Sequence, residues 1–315
     1  MDHEYFRSYE MCWGTLGTVR PFSNFHPVND VEQIQTALNK KDTLTLLRIL
    51  TNRSNAQRQA IAITYQTSTQ KNLVASMKKV LSGDLESLLV ELLMPPVQYE
   101  AYRLQQAMEG LGTDEETLLE ILCTRSGNQL REIAAVYKEC YKKDLEKELK
   151  AETSGDFAKL VVALLNKENV TGTVQRDLES LSASINTKKA DTEPWIDILT
   201  SRNSAHLNKV LLELELQSGQ EVDQTVQKRF TGDIQLGLSI LVQCIENQDR
   251  YLAKRLATMK AEIVRRIMVS HCEKDLLCIR AAFIKLTGTS LYTTLQKRFK
   301  GDYLQALLGL CRSED

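Results

Sequence analysis

The chain has 315 residues with 40 Lys or Arg against 41 Asp or Glu, so no strong net charge directs it to nucleic acid. Only 5 Pro and 14 Gly are present, and the apolar segments are rich in Leu, Ala, Lys, Glu and Gln, which favours helices over a nucleotide-binding α/β enzyme. The cysteines form no Cys-x-x-Cys pair, the first residues do not resemble a secretory signal, and no apolar run is long enough to span a bilayer. We therefore expect a cytoplasmic, mostly helical protein.

One pattern occurs four times along the chain. An Arg or His is followed thirty residues later by a Gly-Asp pair, and an apolar run follows that pair. The copies are Arg53 with Gly83-Asp84, Arg125 with Gly155-Asp156, Arg202 with Gly232-Asp233, and His271 with Gly301-Asp302. Repetition at this period indicates a duplicated module. We predict modules at residues 28–95, 96–167, 175–246 and 249–315, after an N-terminal tail of residues 1–27.

The second module is the most regular, and it predicts five helices in chain order. A helix over residues 102–108 ends at two nearby glycines, Gly110 and Gly112. Thr113, with Glu116 three residues later, has the spacing of a capping box at the start of the next helix. Gly127-Asn128 marks a break, two apolar-periodic segments follow, and a nearly continuous apolar helix begins after Gly155. Residues 167–175 are expected to form a polar connection to the third module.

The same module carries four charged residues in or near its predicted apolar helices, namely Glu100, Arg103, Glu120 and Arg125. The first interpretation is a buried ion-pair cluster. An ion pathway through the protein is the weaker alternative.

The second module contains Met-Glu-Gly-Leu-Gly-Thr-Asp-Glu-Glu at 108–116, Leu-Cys-Thr-Arg-Ser at 122–126 and Glu-Thr-Ser-Gly-Asp at 152–156, and related segments lie at 50–58 and 290–294. These segments resemble the annexin repeat. The segment that begins Trp13-Gly-Thr-Leu also looks annexin-like, so the resemblance covers residues 13–315. It implies an all-α fold of four five-helix annexin repeats in a curved disc, calcium-dependent binding to acidic phospholipids, and no catalytic residues.

The annexin pattern also implies a calcium site in the second repeat. Ca²⁺ prefers about six to eight hard oxygen ligands, including backbone carbonyls and a carboxylate. By resemblance, the carbonyls of Met108, Gly110 and Gly112 and the carboxylate of Glu152 are the expected ligands. Glycine at two of these positions suits a tight backbone turn around an ion. Thr113 and Glu116 are candidates for an accessory metal site.

The other three repeats depart from this pattern at both the loop and the acid. The loop of the first repeat has no glycine and the acid position holds Val80; the third and fourth repeats have Arg229 and Arg298 at that position. Cations stand at or near all three sites, and they are Lys40, Lys41, Lys188, Lys189, Arg229 and Arg298. We hypothesise that these side chains contact lipid phosphates directly. The alternative is that the lysines simply occupy exposed loops.

The sequence thus favours a non-enzymatic protein that associates peripherally with membranes containing acidic phospholipids such as phosphatidylserine. Its calcium dependence would be reduced to one intact site in the second repeat. The alternative function is a calcium-insensitive annexin-fold scaffold that binds a protein or a polyanion through basic surfaces. The fourth repeat favours this alternative, because from Asp249 onward it has 13 Lys or Arg against 7 Asp or Glu.

Overall fold

The computed structural model describes residues 15–312, so most of the predicted N-terminal tail, including Trp13, lies outside the described residues. The described part contains helices and no strand. The helices are α1 (Pro27–Lys40), α2 (Thr43–Leu50), α3 (Asn55–Thr69), α4 (Leu73–Met77), α5 (Gly83–Leu92), α6 (Pro96–Ala107), α7 (Glu115–Thr124), α8 (Gly127–Tyr141), α9 (Leu145–Glu152), α10 (Gly155–Leu165), α11 (Val174–Ile185), α12 (Glu193–Ser201), α13 (Ser204–Ser218), α14 (Val222–Arg229), α15 (Gly232–Ala257), α16 (Ala261–His271), α17 (Leu276–Thr287), α18 (Leu291–Arg298) and α19 (Gly301–Cys311).

The prediction of five helices per module is confirmed. Helices α1–α5 form the first module and α6–α10 the second. Helix α15 is interrupted at Asn247, whose backbone has φ −162° and ψ 96°, so this element consists of two helices. The part before Asn247 completes the third module with α11–α14, and the part after it begins the fourth module with α16–α19.

The modules form two compact units. One unit contains residues 15–99 together with 252–312, and the other contains residues 100–251. In the first unit, α19 packs on α2 and α16 packs on α5; in the second unit, α10 packs on α12. The fifth helix of one module therefore packs on the second helix of the other module in the same unit.

The Gly-Asp pair of the repeated pattern begins the fifth helix of each module. The four glycines, Gly83, Gly155, Gly232 and Gly301, have φ between 59° and 70°, a region that favours glycine because a Cβ would be strained there. In the second and fourth modules, the aspartate that follows also contacts a threonine at the start of a helix in the other module of the same unit. Asp156 Oδ2 accepts a hydrogen bond from Thr192 Oγ1 at 2.8 Å, and Asp302 accepts one from Thr43 Oγ1.

The arginine of the pattern forms an ion pair with an acid from the first helix of its own module. Arg53 Nε lies 2.7 Å from Asp30 Oδ2, and both side chains are at least nine-tenths buried. Equivalent pairs join Arg125 to Glu100 at 2.9 Å and Arg202 to Asp177 at 2.8 Å. Each pair ties the loop after the second helix to the first helix, which explains why the arginine recurs in three modules.

The fourth module replaces this pair with a histidine. His271 is fully buried, and its Nδ1 lies 2.6 Å from Oδ1 of Asp275, four residues further along the chain. In the third module Asp177 also contacts His206 Nε2 at 2.8 Å. Burial favours a higher pKa for Asp177, but the hydrogen bonds from Arg202 and His206 outweigh it and hold that pKa below its ordinary value.

The expected ion-pair cluster of the second module is confirmed. Arg103 Nη2 lies 2.5 Å from Glu120 Oε1, and Arg103 Nη1 lies 3.6 Å from Glu100 Oε2. Because Arg125 contacts the same glutamate, four buried side chains of alternating charge form one network. Each charge is compensated by an opposite charge, as burial requires.

The connection at residues 167–175 begins with a partly buried cation. Lys167 Nζ donates hydrogen bonds to the carbonyl oxygens of Leu122 at 2.6 Å and Arg125 at 3.1 Å, at the C-terminal end of α7. In the first module Arg58 donates to the matching carbonyls of Leu50 and Arg53. Burial lowers the pKa of Lys167. A cation is favoured at a helix C-terminus because the last carbonyls carry partial negative charge.

We predict that Arg53→Met destabilises the protein by about 3 kcal/mol, because it leaves the Asp30 carboxylate buried without its partner. Arg48→Met is the matched control, since Arg48 lies exposed on the neighbouring helix α2 and should cost less than about 0.5 kcal/mol. Urea unfolding followed by circular dichroism measures both values. Equal stability of the two variants would contradict a structural role for the pair.

Candidate calcium and membrane site

The loop between α6 and α7 contains the predicted calcium ligands, and its backbone requires both glycines. Gly110 has φ 102° and Gly112 has φ 89°, values that residues with a Cβ rarely adopt. A hydrogen bond from the Asp114 N–H to the Ala107 carbonyl at 2.8 Å closes the loop at its base. The conformation is therefore fixed by the two glycines and by this closing hydrogen bond.

The prediction that Thr113 caps α7 was wrong. Asp114, and not Thr113, caps this helix: its Oδ1 accepts from the Thr117 N–H at 3.0 Å and its Oδ2 accepts from Thr117 Oγ1 at 2.7 Å. A carboxylate satisfies two donors at once and is favoured at a helix N-terminus. Thr113 instead donates its hydroxyl to the Glu152 carbonyl at 3.2 Å.

This last hydrogen bond brings the two halves of the predicted site together. Glu152 is the final residue of α9, and the Thr113 hydroxyl holds its backbone against the loop across 39 residues of sequence. Glu152 is exposed, and so is Glu116 in the first turn of α7. The loop and its distant acid are thus neighbours in the folded chain.

The chemistry of this loop fits a calcium ion. Within residues 15–312, the carbonyl oxygens of Met108, Gly110 and Gly112 accept no hydrogen bond from the protein. Three hard oxygen atoms of the loop therefore have no protein donor, and backbone carbonyl oxygens are among the ligands that Ca²⁺ prefers. The described residues contain no cluster of three His, Cys, Asp or Glu side chains, so carbonyl oxygens are essential to this candidate site.

An apolar side chain stands at the tip of the same loop. Leu111, between the two glycines, is fully exposed, and it is the most exposed of the large hydrophobic residues in the described part of the chain. Burying a leucine side chain in an apolar medium contributes about 1.5–3 kcal/mol. The sequence predictions did not include Leu111, although its place between two turn-forming glycines was a usable signal.

In the third and fourth modules, an arginine occupies the position of the acid and donates to a loop carbonyl. Arg229 Nη2 lies 2.6 Å from the Thr187 carbonyl oxygen, and Arg298 Nε lies 3.3 Å from that of Met259. Met259 lies in the short turn before α16, at the place in the fourth module where the second module has its glycine loop. The guanidinium group therefore contacts backbone oxygens of the kind that would bind calcium in the second module. Sequence comparison located these arginines but not this contact.

The first module has neither a glycine loop nor an acid. Lys41 ends α1 with φ 55°, and its N–H donates to the carbonyls of Ala37 and Leu38, so the turn closes on itself. Asp42 accepts a hydrogen bond from the Thr45 N–H at 3.1 Å and caps α2. Asp42 therefore serves as the N-terminal cap of α2.

The six predicted cations are all exposed in the structure. Lys40 and Lys41 lie at the end of α1, and Lys188 and Lys189 lie in the loop between α11 and α12. Arg229 and Arg298 end α14 and α18. The third module therefore brings an arginine and a loop with two lysines together through the contact of Arg229 with Thr187.

None of the helices in residues 15–312 combines the length and the apolar character needed to span a bilayer.

Four copies of a five-helix module, one of which has a glycine loop beside a distant acid, define an all-α repeat protein with one candidate calcium site. The family model described as Annexin matches residues 29–92, 99–164, 176–241 and 251–310.

Individual relatives agree with this class. Annexin A9 of Homo sapiens is 36% identical over 330 residues, covering 100% of this chain and 95% of the relative, and annexin A9 of Bos taurus is 38% identical over 317 residues, covering 96% and 92%. The solved structure of annexin III has a TM-score of 0.90 at 34% identity, covering 95% of this chain and 98% of that chain. Chicken annexin V has a TM-score of 0.87 at 36% identity, covering 95% and 99%. The chain belongs to the annexin family, whose members generally bind phospholipids in a calcium-dependent manner.

We predict that Gly112→Ala weakens calcium binding about tenfold or more, because a Cβ at φ 89° costs about 1–2 kcal/mol and shifts the loop. Gly219→Ala is the matched control, since Gly219 has φ 68° at the end of α13 with open space around it. Isothermal titration with calcium measures the affinities, and thermal unfolding measures the shared cost of strain. Equal calcium affinity in both variants would contradict a role for the loop conformation.

Proposed function

We propose that this annexin docks peripherally onto acidic phospholipid membranes with a calcium dependence confined to the second repeat. The observation that carries this proposal is the loop at residues 108–113, held by the Thr113 hydroxyl against the last residue of α9. Met108, Gly110 and Gly112 would supply carbonyl ligands, and Glu152 the carboxylate. A bound calcium ion would supply positive charge that a lipid phosphate can coordinate. Thr113 and Glu116 remain candidates for an accessory site.

The proposed docking also uses the apolar tip of this loop. Leu111 is fully exposed beside the candidate ligands, so it would enter the interface region of a bilayer when the loop approaches the headgroups. The proposed contact thus combines one ion with one apolar side chain. Docking through a single site would be weak, because each lost site removes an independent attachment.

In the repeats without glycine loops, exposed cations would provide part of the attraction. Lys188 and Lys189 lie in the third-repeat loop, and Arg229 is held beside it by its hydrogen bond to Thr187. In the first repeat Lys40 and Lys41 lie at the corresponding turn, and in the fourth repeat Arg298 lies beside Met259. Each basic side chain near an anionic leaflet is worth about 1 kcal/mol and requires no calcium. The proposed location is cytoplasmic, at the membrane surface.

We predict that Glu152→Gln strongly weakens the calcium-dependent part of binding to phosphatidylserine vesicles, because it removes the carboxylate of the candidate site. The calcium concentration for half-maximal binding should rise at least about tenfold. Glu146→Gln is the matched control, since Glu146 lies on the same helix but pairs with Lys150 at 2.5 Å. Co-sedimentation over a calcium series measures both variants.

An unchanged calcium response in Glu152→Gln would refute the proposed site. It would favour the alternative function, a calcium-insensitive scaffold that binds a protein or a polyanion. Binding to immobilised heparin in chelator, measured with the same variants, separates this alternative from membrane docking.

We predict that the double variant Lys188→Glu, Lys189→Glu lowers calcium-independent binding to acidic vesicles at least about thirtyfold, which corresponds to about 1 kcal/mol per lost lysine. The double variant Arg176→Glu, Lys209→Glu is the control, because it makes the same change in net charge at exposed positions on α11 and α13. Co-sedimentation in chelator at low and high salt measures both. No binding by the parent chain in chelator at low salt, or equal losses in both variants, would contradict the proposed role of the loop.

A further inference from the structure

Four basic residues stand at one end of the fourth module. Lys260 lies in the turn before α16, Lys297 and Arg298 end α18, and Lys300 lies between α18 and α19. All four are exposed, and within residues 15–312 none of them forms an ion pair with a carboxylate. We refer to these four residues as the basic cluster.

Two hydrogen bonds bring the parts of the basic cluster together. Arg298 Nε donates to the Met259 carbonyl at 3.3 Å, and the Tyr303 hydroxyl donates to the Ala261 carbonyl at 3.1 Å. Lys260 lies between these two carbonyl groups in sequence. The turn that carries Lys260 is therefore held against the end of α18 and the first turn of α19, although about forty residues separate them along the chain.

The acids that neighbour the basic cluster in sequence contact other groups. Glu262 pairs with Arg266 one turn further along α16, and Asp302 accepts a hydrogen bond from the hydroxyl of Thr43. The two acids of α5 that lie against the fourth module contact Arg265. The fold therefore engages these carboxylates elsewhere and leaves the positive charge of the basic cluster at the surface.

The third module has a weaker version of this surface. Residues 228–231 are Lys-Arg-Phe-Thr, where the fourth module has Lys-Arg-Phe-Lys at 297–300. Lys228 also donates to the side-chain oxygen of Gln220 at 2.6 Å. Two exposed acids stand in or beside the loop of the third module, namely Asp191 and Glu193. Positive charge is therefore more concentrated in the fourth module than in the third.

We propose that the basic cluster docks onto a membrane lipid whose headgroup carries phosphomonoesters, as in the polyphosphoinositides. This inference rests on the proposed membrane docking and names a lipid class for it. A phosphomonoester carries about −1.5 to −2 charges at pH 7, so one headgroup with two such groups matches the charge of the whole cluster. A phosphatidylserine headgroup carries about one negative charge, so several lipids would have to gather at the same place.

The contacts within the cluster leave donors for phosphate oxygens. The guanidinium group of Arg298 uses one N–H on the Met259 carbonyl, and its other N–H groups suit charge-assisted hydrogen bonds with phosphate. The three lysines each carry an ammonium group on a flexible stem, which suits point contacts around the same headgroup. Because the turn and the helix end are already held together, binding requires little ordering of the backbone. This contact involves no calcium ligand.

The test is co-sedimentation of the full chain in chelator with two sets of phosphatidylcholine vesicles. One set contains phosphatidylinositol 4,5-bisphosphate, and the other contains phosphatidylserine at about four times that mole fraction, which matches the total charge. The expected result is binding to the bisphosphate vesicles at least about tenfold tighter than to the phosphatidylserine vesicles. Equal binding to the two sets would overturn the proposal, because surface charge alone would then account for it.

A charge-matched pair of variants assigns the binding to the cluster. The double variant Lys260→Gln, Lys300→Gln should weaken binding to the bisphosphate vesicles about thirtyfold, since each basic side chain near an anionic leaflet contributes about fivefold. The control is Arg176→Gln, Lys209→Gln, which makes the same change in net charge at exposed positions on α11 and α13 and should change the affinity less than about twofold. Equal losses in the two double variants would overturn the proposal. Thermal unfolding of each variant establishes that a loss of binding is not a loss of fold.

Calcium-dependent binding to the phosphatidylserine vesicles, measured on the same preparations, separates this inference from the proposed function. A calcium response without a preference for the bisphosphate vesicles overturns the inference and leaves the second-repeat site standing. A preference for the bisphosphate vesicles without a calcium response supports the inference and contradicts the calcium site. Binding to immobilised heparin without binding to either set of vesicles assigns the cluster to a soluble polyanion and overturns the lipid proposal.

Discussion

The ion pair between a buried acid of the first helix and the arginine after the second helix is the constraint that shapes each of the first three modules. In the first module, Asp30 and Arg53 contact through two hydrogen bonds, at 2.7 and 2.9 Å. A buried charge is tolerated only with its partner in place, so the loop that carries the arginine must return to the first helix. That return positions the third helix, which starts two residues later. The scaffold that displays the interhelical loops therefore depends on this pair.

Much of this scaffold could be predicted from the sequence because the pattern of one module occurs four times. The constant sequence spacing from Arg53, Arg125 and Arg202 to a Gly-Asp pair reflects two structural requirements. The arginine forms an ion pair with an acid, and a glycine with positive φ starts a helix. Such backbone requirements leave a local signal. The sequence did not show whether Thr113 or Asp114 caps α7, because both residue types cap helices. In the folded chain the Thr113 hydroxyl donates to the Glu152 carbonyl, and Asp114 caps the helix.

Long-range contacts were harder to foresee. Lys167 was expected only as part of a polar connection, whereas its ammonium group caps the end of α7 more than forty residues earlier in the sequence. Composition alone indicates solvent exposure for a lysine, and only the packed fold brings a helix C-terminus to it. The approach of the turn at Lys260 to the segment that contains Lys300 is of the same kind, since these positions are far apart in sequence. The candidate calcium loop could be predicted from the sequence because most of its expected ligands lie close together along the chain.

The contact of Arg229 with the Thr187 carbonyl has a consequence for how this surface can change over evolutionary time. An ion in solution leaves when its concentration falls, whereas a guanidinium group that is covalently attached to the chain stays at every calcium level. Replacing Arg229 by an acid would set a carboxylate against the oxygen of a backbone carbonyl, and the neighbouring loop has no glycine to rearrange around an ion. Several substitutions would have to occur together before a calcium site returned. The exchange of a dissociable ion for a tethered cation is therefore close to an irreversible step.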